Sequence, residues 1–278
     1  MGTEIQLHLR SKPAAGKLLA AAANEFHRLE ALLSRFLPSS ELARLNRDGE
    51  LVAGPDLLAV VDAALAAREL TAGRFDPTVH DALVAAGYDR SFELVPAGGG
   101  VPVLVGSACG GGVELDRAAA RIRLDPGVRL DLGGIAKGYA VDRALGILGS
   151  AGPALVDAGG DIAVTGMPWH VGVDTSDGTF TLELSDGAVA TSGRDRRRWA
   201  GDDGERHHLI DPSTGRPAEG ELLRVTAVAA TALDAEVLAK ALFLAGDLEA
   251  AAAEADALGI PVVLVSLDGR TVLAGGMS

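Results

Sequence analysis

With 278 residues, of which 48% are hydrophobic, the chain can bury one large core or two smaller ones, and this excludes an intrinsically disordered protein. Its net charge of −13 at pH 7 argues against nucleic acid or an anionic membrane surface as the main partner, because both require a broad basic face. The chain has one cysteine, Cys109, so neither an intrachain disulfide nor a thiolate metal cluster can form.

The N-terminal residues predict a strand. Ile5, Leu7 and Leu9 alternate with polar residues, as in a half-buried strand that starts almost at once. We see no signal-peptide pattern before this strand, no cysteine placed for a lipid anchor and no run of the ~18 apolar residues that a membrane span needs. We therefore expect a cytoplasmic protein.

Three helices are predicted in the next part of the chain. The first is expected to run to the break at Pro38, because apolar residues recur at helical spacing: Leu18, Ala22, Phe26, Leu29, Leu32, Leu33 and Phe36. The serines before Glu41 can cap a short second helix, and Pro55 can open a third that ends near Gly73. Residues 87–112 are rich in glycine and predict a surface excursion.

The middle of the chain predicts a strand, a glycine turn and a helix. We expect residues 121–124 and 128–132 to pair as a hairpin around the turn at 125–127. Gly133 and Gly134 follow, and apolar residues then recur at helical spacing from Val141. A helix N-terminus after such a turn favours an anion, and Lys137 adds a full positive charge. From the two glycines alone, a purely structural turn is the commoner case.

The last part of the chain predicts an antiparallel sheet and two helices. Short apolar runs separated by glycine or aspartate turns occupy residues 154–157, 162–164, 169–173, 179–184 and 188–190. Residues 194–198 form the densest basic run, which by itself indicates a solvated surface. A strand at 222–230, a helix at 235–246, an alanine-rich helix and a hairpin through Asp268 and Gly269 complete the prediction.

The central segment, Asp131-Leu-Gly-Gly-Ile-Ala-Lys137-Gly-Tyr-Ala-Val-Asp-Arg143, closely resembles the signature of the ApbE family, the FAD:protein FMN transferases. Further segments resemble family elements in the same order: the opening Met-Gly-Thr, the stretch around Phe36, Arg74-Phe75-Asp76, Gly159-Gly160-Asp161, the His208-Leu-Ile210-Asp-Pro stretch and the final Ala-Leu-Phe helix. The resemblance implies an α+β fold with largely antiparallel sheets, flanking helices and two intertwined lobes around a cleft. It also implies one domain over residues 1–278, with a soft lobe boundary near 110–150.

The resemblance implies a site for FAD. The residues that match its FAD contacts are Met1, Phe36, Arg74, Phe75, Asp76, Asp131, Gly133, Gly134, Lys137, His208, Ile210 and Lys240. The implied reaction moves the FMN half of FAD onto a threonine or serine hydroxyl of an acceptor flavoprotein and releases AMP. We expect Asp131 or His208 to act as the base, and Lys137, Lys240 and Arg196 to supply positive charge to the diphosphate.

One element departs from the family pattern. In the family, an aspartate and a threonine of the helix that carries Ala-Leu-Phe bind Mg²⁺ together with a residue of the central turn, here Gly134. Alignment on Ala-Leu-Phe places Glu236 at the aspartate and Lys240 at the threonine. Because an ammonium group has no lone pair, Lys240 cannot bind Mg²⁺, and a Gly134–Glu236 metal site stays open. Either Glu236 and Lys240 form a surface salt bridge, or the Lys240 ammonium takes the place of the metal.

Three activities therefore remain open from the sequence. The first is FMN transfer to an acceptor protein, with altered or absent dependence on Mg²⁺. The second is hydrolysis of FAD to FMN and AMP by the same site, with water as the acceptor. The third is a non-catalytic FAD carrier that has lost its metal, an alternative raised by Glu236 and Lys240.

Overall fold

The fold is taken from a computed structural model, which describes residues 3–10, 15–95, 109–201 and 204–277. In chain order, the helices are α1 (Ala15–Leu33), α2 (Glu41–Asp48), α3 (Pro55–Leu70), α4 (His80–Ala85), α5 (Ala136–Gly149), α6 (Ala232–Phe243) and α7 (Leu248–Leu258). The strands are β1 (Ile5–Leu9), β2 (Glu50–Val52), β3 (Val113–Asp116), β4 (Arg121–Leu124), β5 (Ala154–Ala158), β6 (Ile162–Thr165), β7 (Trp169–Thr175), β8 (Gly178–Leu184), β9 (Gly187–Gly193), β10 (Arg198–Gly201), β11 (Gly204–His207), β12 (Ile210–Asp211), β13 (Arg216–Pro217), β14 (Leu222–Ala229), β15 (Val262–Ser266) and β16 (Thr271–Ala274).

The largest sheet has seven strands in the order β1-β5-β6-β9-β14-β15-β16. Its strand pairs are antiparallel, with Ile5 opposite Ala158 at one edge and Val262 opposite Ala274 at the other. The fold is therefore α+β with largely antiparallel sheets and flanking helices, as the sequence predicts. Because β9 and β14 lie next to each other in the middle of this sheet, segments far apart in sequence come together there.

The two faces of this sheet bury different side chains. Alanine and valine side chains of β5, β6 and β9 pack against α1, α5 and α6, so that Val156, Ala163 and Ala190 are nearly inaccessible to solvent. Alternate residues such as Val164 and Val189 pack on the hairpin of β7 and β8 instead. Small side chains on the helical face let the helices approach closely, and burial of these apolar groups on both faces stabilises the layers.

A second sheet has the order β2-β4-β3, and it corrects one expectation. We predicted that residues 128–132 pair with β4, but β4 pairs with β2 and β3. Residues 128–132 form no strand, although Leu130 and Leu132 are buried as their alternation indicates. The Asn46 side chain takes the place of a partner strand, because its Nδ2 donates to the Leu130 carbonyl at 2.8 Å and its Oδ1 accepts from the Leu130 N–H at 2.7 Å.

The first helix is also shorter than predicted. It ends at Leu33 rather than near Pro38, because the Ser34 hydroxyl accepts from the Phe36 N–H at 3.2 Å and starts a turn. Ser40 closes this turn by donating to the Ser34 carbonyl at 2.6 Å, and it caps α2 by accepting from the Ala43 N–H. The turn carries Arg35 and Phe36 out of the helix. Within the described ranges, no helix is both long and apolar enough to cross a membrane.

Candidate active site

Two adjoining cavities lie between the helices and the sheet. The first has a volume of about 360 Å³ and the second about 290 Å³. Lys137, His208 and Lys240 line both cavities, so these three side chains stand where the cavities meet. We call this place the junction. A ligand in either cavity therefore reaches the same positively charged and imidazole groups.

The glycine turn forms the floor of the junction. It joins the buried Leu132 to α5, whose first turn carries Lys137, so the N-terminus of a 14-residue helix is directed here. Asp131 Oδ1 accepts from the Gly133 N–H at 2.8 Å, and Asp131 Oδ2 lies 2.5 Å from Nε of Arg35. Both carboxylate oxygens of Asp131 are therefore engaged, and the group fixes the shape of the turn.

A buried charge cluster lies beside the turn. The ammonium of Lys137 donates to Asp161 and, at 2.6 Å, to Oε1 of Glu236. Glu236 Oε2 accepts from the Gly138 N–H at 2.9 Å, so its second oxygen is used as well. Burial opposes the charge on Lys137, but the two carboxylates outweigh that effect and raise its pKa. Burial raises the pKa of Asp161, even though Lys137 and Lys240 act in the opposite direction.

Lys240 is not paired with Glu236, contrary to one expectation. Glu236 is held by Lys137 and Gly138, and it is a buried residue rather than a surface one. Over the described ranges, Lys240 Nζ has neither a hydrogen bond nor an ion pair, and it lies 5.8 Å from the centroid of the Phe75 ring. Burial lowers the pKa of Lys240, although Glu236 partly opposes this.

Three side chains of an aromatic cluster, Phe36, Tyr88 and Phe92, form one wall of the first cavity. Tyr88 lies 5.7 Å from both Phe36 and Trp199, measured between ring centroids, and 6.3 Å from Phe92. The guanidinium of Arg35 lies 4.2 Å from the Phe36 centroid and 4.8 Å from that of Tyr88. Of these residues the sequence singled out only Phe36. The sequence does not indicate the others, because no local pattern links Arg35 with Tyr88, 53 positions later.

The Arg74-Phe75-Asp76 segment lines the same cavity. Arg74 Nη1 donates to Glu254 of α7 at 2.7 Å, and the Phe75 side chain is almost wholly buried. Asp76 Oδ1 accepts from both the N–H and the hydroxyl of Thr78, at 2.8 and 2.7 Å, so it also stabilises the turn that leads to α4. The segment therefore combines a structural turn with side chains at the cavity.

The two adjacent histidines have different surroundings. His207 is buried, and its Nε2 lies 3.0 Å from the Ala218 carbonyl, so it belongs to the core. His208 lies in the bend between β11 and β12 and lines both cavities. Its Nδ1 faces the Arg197 carbonyl at 3.4 Å, which favours a proton on Nδ1 and leaves Nε2 as an acceptor. Burial, followed by the charge of Arg197, lowers the pKa of His208 well below its usual value.

The sequence-derived FAD contacts converge on one place. The first cavity is lined by Phe36, Arg74, Phe75, Asp76, Asp131, Gly133, Gly134, Lys137, His208, Ile210 and Lys240. Met1 lies outside the described residues. Glu236 and Arg196 line only the second cavity, where Arg196 donates to the Gly159 carbonyl at 3.3 Å. Asp161, which the sequence matched to a family element without assigning it a role, is a partner of Lys137.

The residues at the junction do not suit a divalent cation. Both oxygens of Glu236 and one of Asp161 are already engaged, and the Lys240 ammonium lies directly against Gly134. In the described part of the chain, one group of three acidic residues has ligand atoms within 4.8 Å of one another, Glu221, Asp247 and Glu249. These residues line neither cavity, and Glu221 and Glu249 hold Arg270. The groups near Gly134 are therefore two lysine ammonium groups and the carboxylates that bind Lys137, and they do not form a set of metal ligands.

The relatives found by sequence comparison belong to one family. The sequence profile described as the ApbE family matches residues 1–264. The FAD:protein FMN transferase of Treponema pallidum is 29% identical over 315 residues, covering 100% of this chain and 85% of the relative. That of Vibrio cholerae is 31% identical over 252 residues, covering 84% of this chain and 74% of the relative.

Comparison with solved structures gives the same family. The ApbE protein of Thermotoga maritima superposes with a TM-score of 0.84 at 29% identity, covering 98% of this chain and 94% of the other. The apo form of the Pseudomonas stutzeri flavinyl transferase ApbE also gives a TM-score of 0.84, at 24% identity, and covers 99% of this chain and 92% of the other. The second match bears on the fold alone.

Proposed function

This chain belongs to the ApbE family, and from that premise we propose that it transfers the FMN half of FAD to a hydroxyl group of an acceptor protein and releases AMP. The observation that carries the proposal is the convergence of separate family segments on one cavity, from Phe36 near the N-terminus to Lys240 near the C-terminus. The relatives above are named for this same reaction.

The shapes and charges of the cavities suggest how FAD is held. The aromatic wall around Phe36 and Tyr88 suits the flat isoalloxazine ring, because aromatic faces stack on such rings. The diphosphate would then lie over the glycine turn, where the N-terminus of α5 and the Lys240 ammonium favour an anion. Lys137 stabilises the turn through its ion pairs with Asp161 and Glu236.

The chemistry required is a phosphodiester exchange. A threonine or serine hydroxyl of the acceptor flavoprotein attacks the FMN-side phosphorus, a new oxygen–phosphorus bond forms, and the bond to the AMP oxygen breaks. His208 is the better placed base, because its Nε2, which has no hydrogen-bond partner among the described residues, can take the hydroxyl proton at neutral pH. Asp131 is tied to Arg35 and the turn, so we assign it a positioning role. The positive groups at the junction stabilise the charge on the departing AMP.

Mass spectrometry with a candidate acceptor tests the proposal. Purified protein is incubated with FAD and an acceptor flavoprotein, and the FMN adduct and AMP are both measured. Equal amounts of adduct and AMP support transfer. AMP with free FMN and no adduct would instead identify an FAD pyrophosphatase, and neither product a flavin carrier; either result overturns the proposal. His208→Ala is expected to lower turnover by about a hundredfold or more while FAD still binds.

A further inference from the structure

The position of Lys240 is unusual for an ammonium group. It stands on α6 one helical turn after Glu236, and a Cβ placed on Gly134 would overlap its Nζ. The ammonium is therefore in contact with the glycine turn, at the junction of the two cavities. A side chain at position 134 would displace the ammonium from this place, so the glycine is what lets Nζ lie against the turn.

The nearby carboxylates do not neutralise Lys240 directly. Lys137 binds both Asp161 and Glu236, and the Gly138 N–H occupies the remaining oxygen of Glu236. Within the described ranges, no acidic oxygen lies within 4.0 Å of Lys240 Nζ. Burying an unpaired charge is costly, as the lowered pKa of this lysine reflects. An anionic ligand at the junction would offset that cost.

A divalent cation cannot use the same place. A metal bound to the Gly134 backbone would lie within a few ångströms of the ammonium, and the two positive charges would repel each other strongly. The carboxylate on the same face of α6, Glu236, already has both oxygens bonded. The junction therefore already has its own cation.

We propose that the ammonium of Lys240 is a built-in cation that binds the diphosphate of FAD at Gly134, so that FAD binding and FMN transfer need no divalent metal at this position. This inference rests on the proposed function, since it concerns the substrate of that reaction. A single substitution, Lys240→Thr, exchanges the charged ammonium for a neutral oxygen ligand at this position.

The test measures FAD binding separately from turnover. Quenching of flavin fluorescence is followed with excess chelator and with excess Mg²⁺, for the parent protein and for Lys240→Thr. The parent should bind FAD equally well in both conditions. Lys240→Thr should bind about tenfold or more weakly in chelator, because a charge-assisted contact is lost, and Mg²⁺ should restore part of the affinity. Lys17→Thr removes one exposed positive charge outside both cavities and serves as the matched control.

Several outcomes would overturn the inference. If chelator abolishes FAD binding by the parent and Mg²⁺ restores it, the site uses a metal. If Lys240→Thr binds FAD as tightly as the parent in chelator, the ammonium does not hold the diphosphate. Thermal denaturation checks that the variant is folded, and Lys240→Met, which also lacks the charge, replaces it if it is not. Metal-dependent transfer to an acceptor would disprove the inference alone, whereas metal-free FAD binding without transfer would disprove only the proposed function.

Discussion

Arg35 illustrates how one residue connects the two halves of the site. Its side chain is only 5% exposed, yet Nε lies 2.5 Å from Asp131 and Nη2 donates to the Tyr88 carbonyl at 2.6 Å. The same guanidinium packs on the rings of Phe36 and Tyr88. Planar geometry with several donors is what permits all of these contacts at once, and lysine could not reproduce them. The aromatic wall and the glycine turn are thus held at a fixed separation.

Removing Arg35 should therefore be costly. Arg35→Met leaves the Asp131 carboxylate buried without its partner, and we expect it to lower the free energy of unfolding by about 3 kcal/mol. The double variant Arg35→Met, Asp131→Asn should recover part of this loss, because no unpaired charge remains. Urea denaturation of the four proteins in the cycle measures the coupling. Additive losses would show that the two side chains do not stabilise each other.

The docking of α5 on α6 sets the site at the level of secondary structure. A Cβ on Gly138 would lie 2.5 Å from the Ala232 carbonyl oxygen, so the start of α6 passes directly over this glycine. Asp142, one turn further on, accepts from the N–H groups of Ala232 and Leu233 at 2.8 and 3.0 Å and thereby caps α6. This close approach is what allows Glu236 to reach Lys137.

Two glycines of the same helix provide a matched pair of substitutions. Gly138→Ala should push α6 away, destabilise the protein by about 1–3 kcal/mol through overpacking and weaken FAD binding. Gly146→Ala, at an exposed position with open space around it, should instead be neutral or stabilise by up to about 1 kcal/mol. Thermal denaturation and flavin quenching distinguish the two. Equal effects of both substitutions would mean that helix propensity, and not helix packing, decides the result.

At the scale of the whole molecule, burial of neutral histidines links stability to pH. Burial lowers the pKa values of His80, His207 and His208, and that of His207 falls from 6.5 to about 4. Below about pH 6.5 the unfolded chain binds a proton at each of these positions that the folded protein does not bind. Their contribution to the free energy of unfolding should therefore be fully present above this pH and decline as the pH falls toward about 4.

His207 provides a direct measurement of this effect. Between about pH 7 and about pH 5, its part of the loss in unfolding free energy should be roughly 2 kcal/mol. His207→Gln keeps a donor for the Ala218 carbonyl, so it should flatten the pH dependence by about this amount, whereas exposed His27→Gln should not change it. Urea denaturation at the two pH values provides the comparison. An unchanged slope in His207→Gln would show that other groups govern the acid sensitivity.

The amino-acid sequence by itself determined the strands, helix starts and turns, which depend on residues close together in the chain. Alternation of Ile5, Leu7 and Leu9 defined β1, Ser40 defined the start of α2, and glycine and aspartate turns marked the antiparallel strands. Ordered motifs also indicated the family and predicted a set of FAD contacts, which the fold brings to one cavity. These features are local, because backbone geometry, capping and hydrophobic periodicity act over a few residues.

Only the tertiary structure decided which charged side chains form ion pairs. The sequence allowed Glu236 to pair with Lys240, four residues away, but the fold pairs it with Lys137, 99 positions away, and leaves Lys240 directed at the glycine turn. Likewise Asn46, and not a second strand, binds the backbone of Leu130, and Arg35, 96 positions before it, forms an ion pair with Asp131. Buried polar groups must find partners wherever the packing of helices on the sheet places them, and that packing depends on the whole chain.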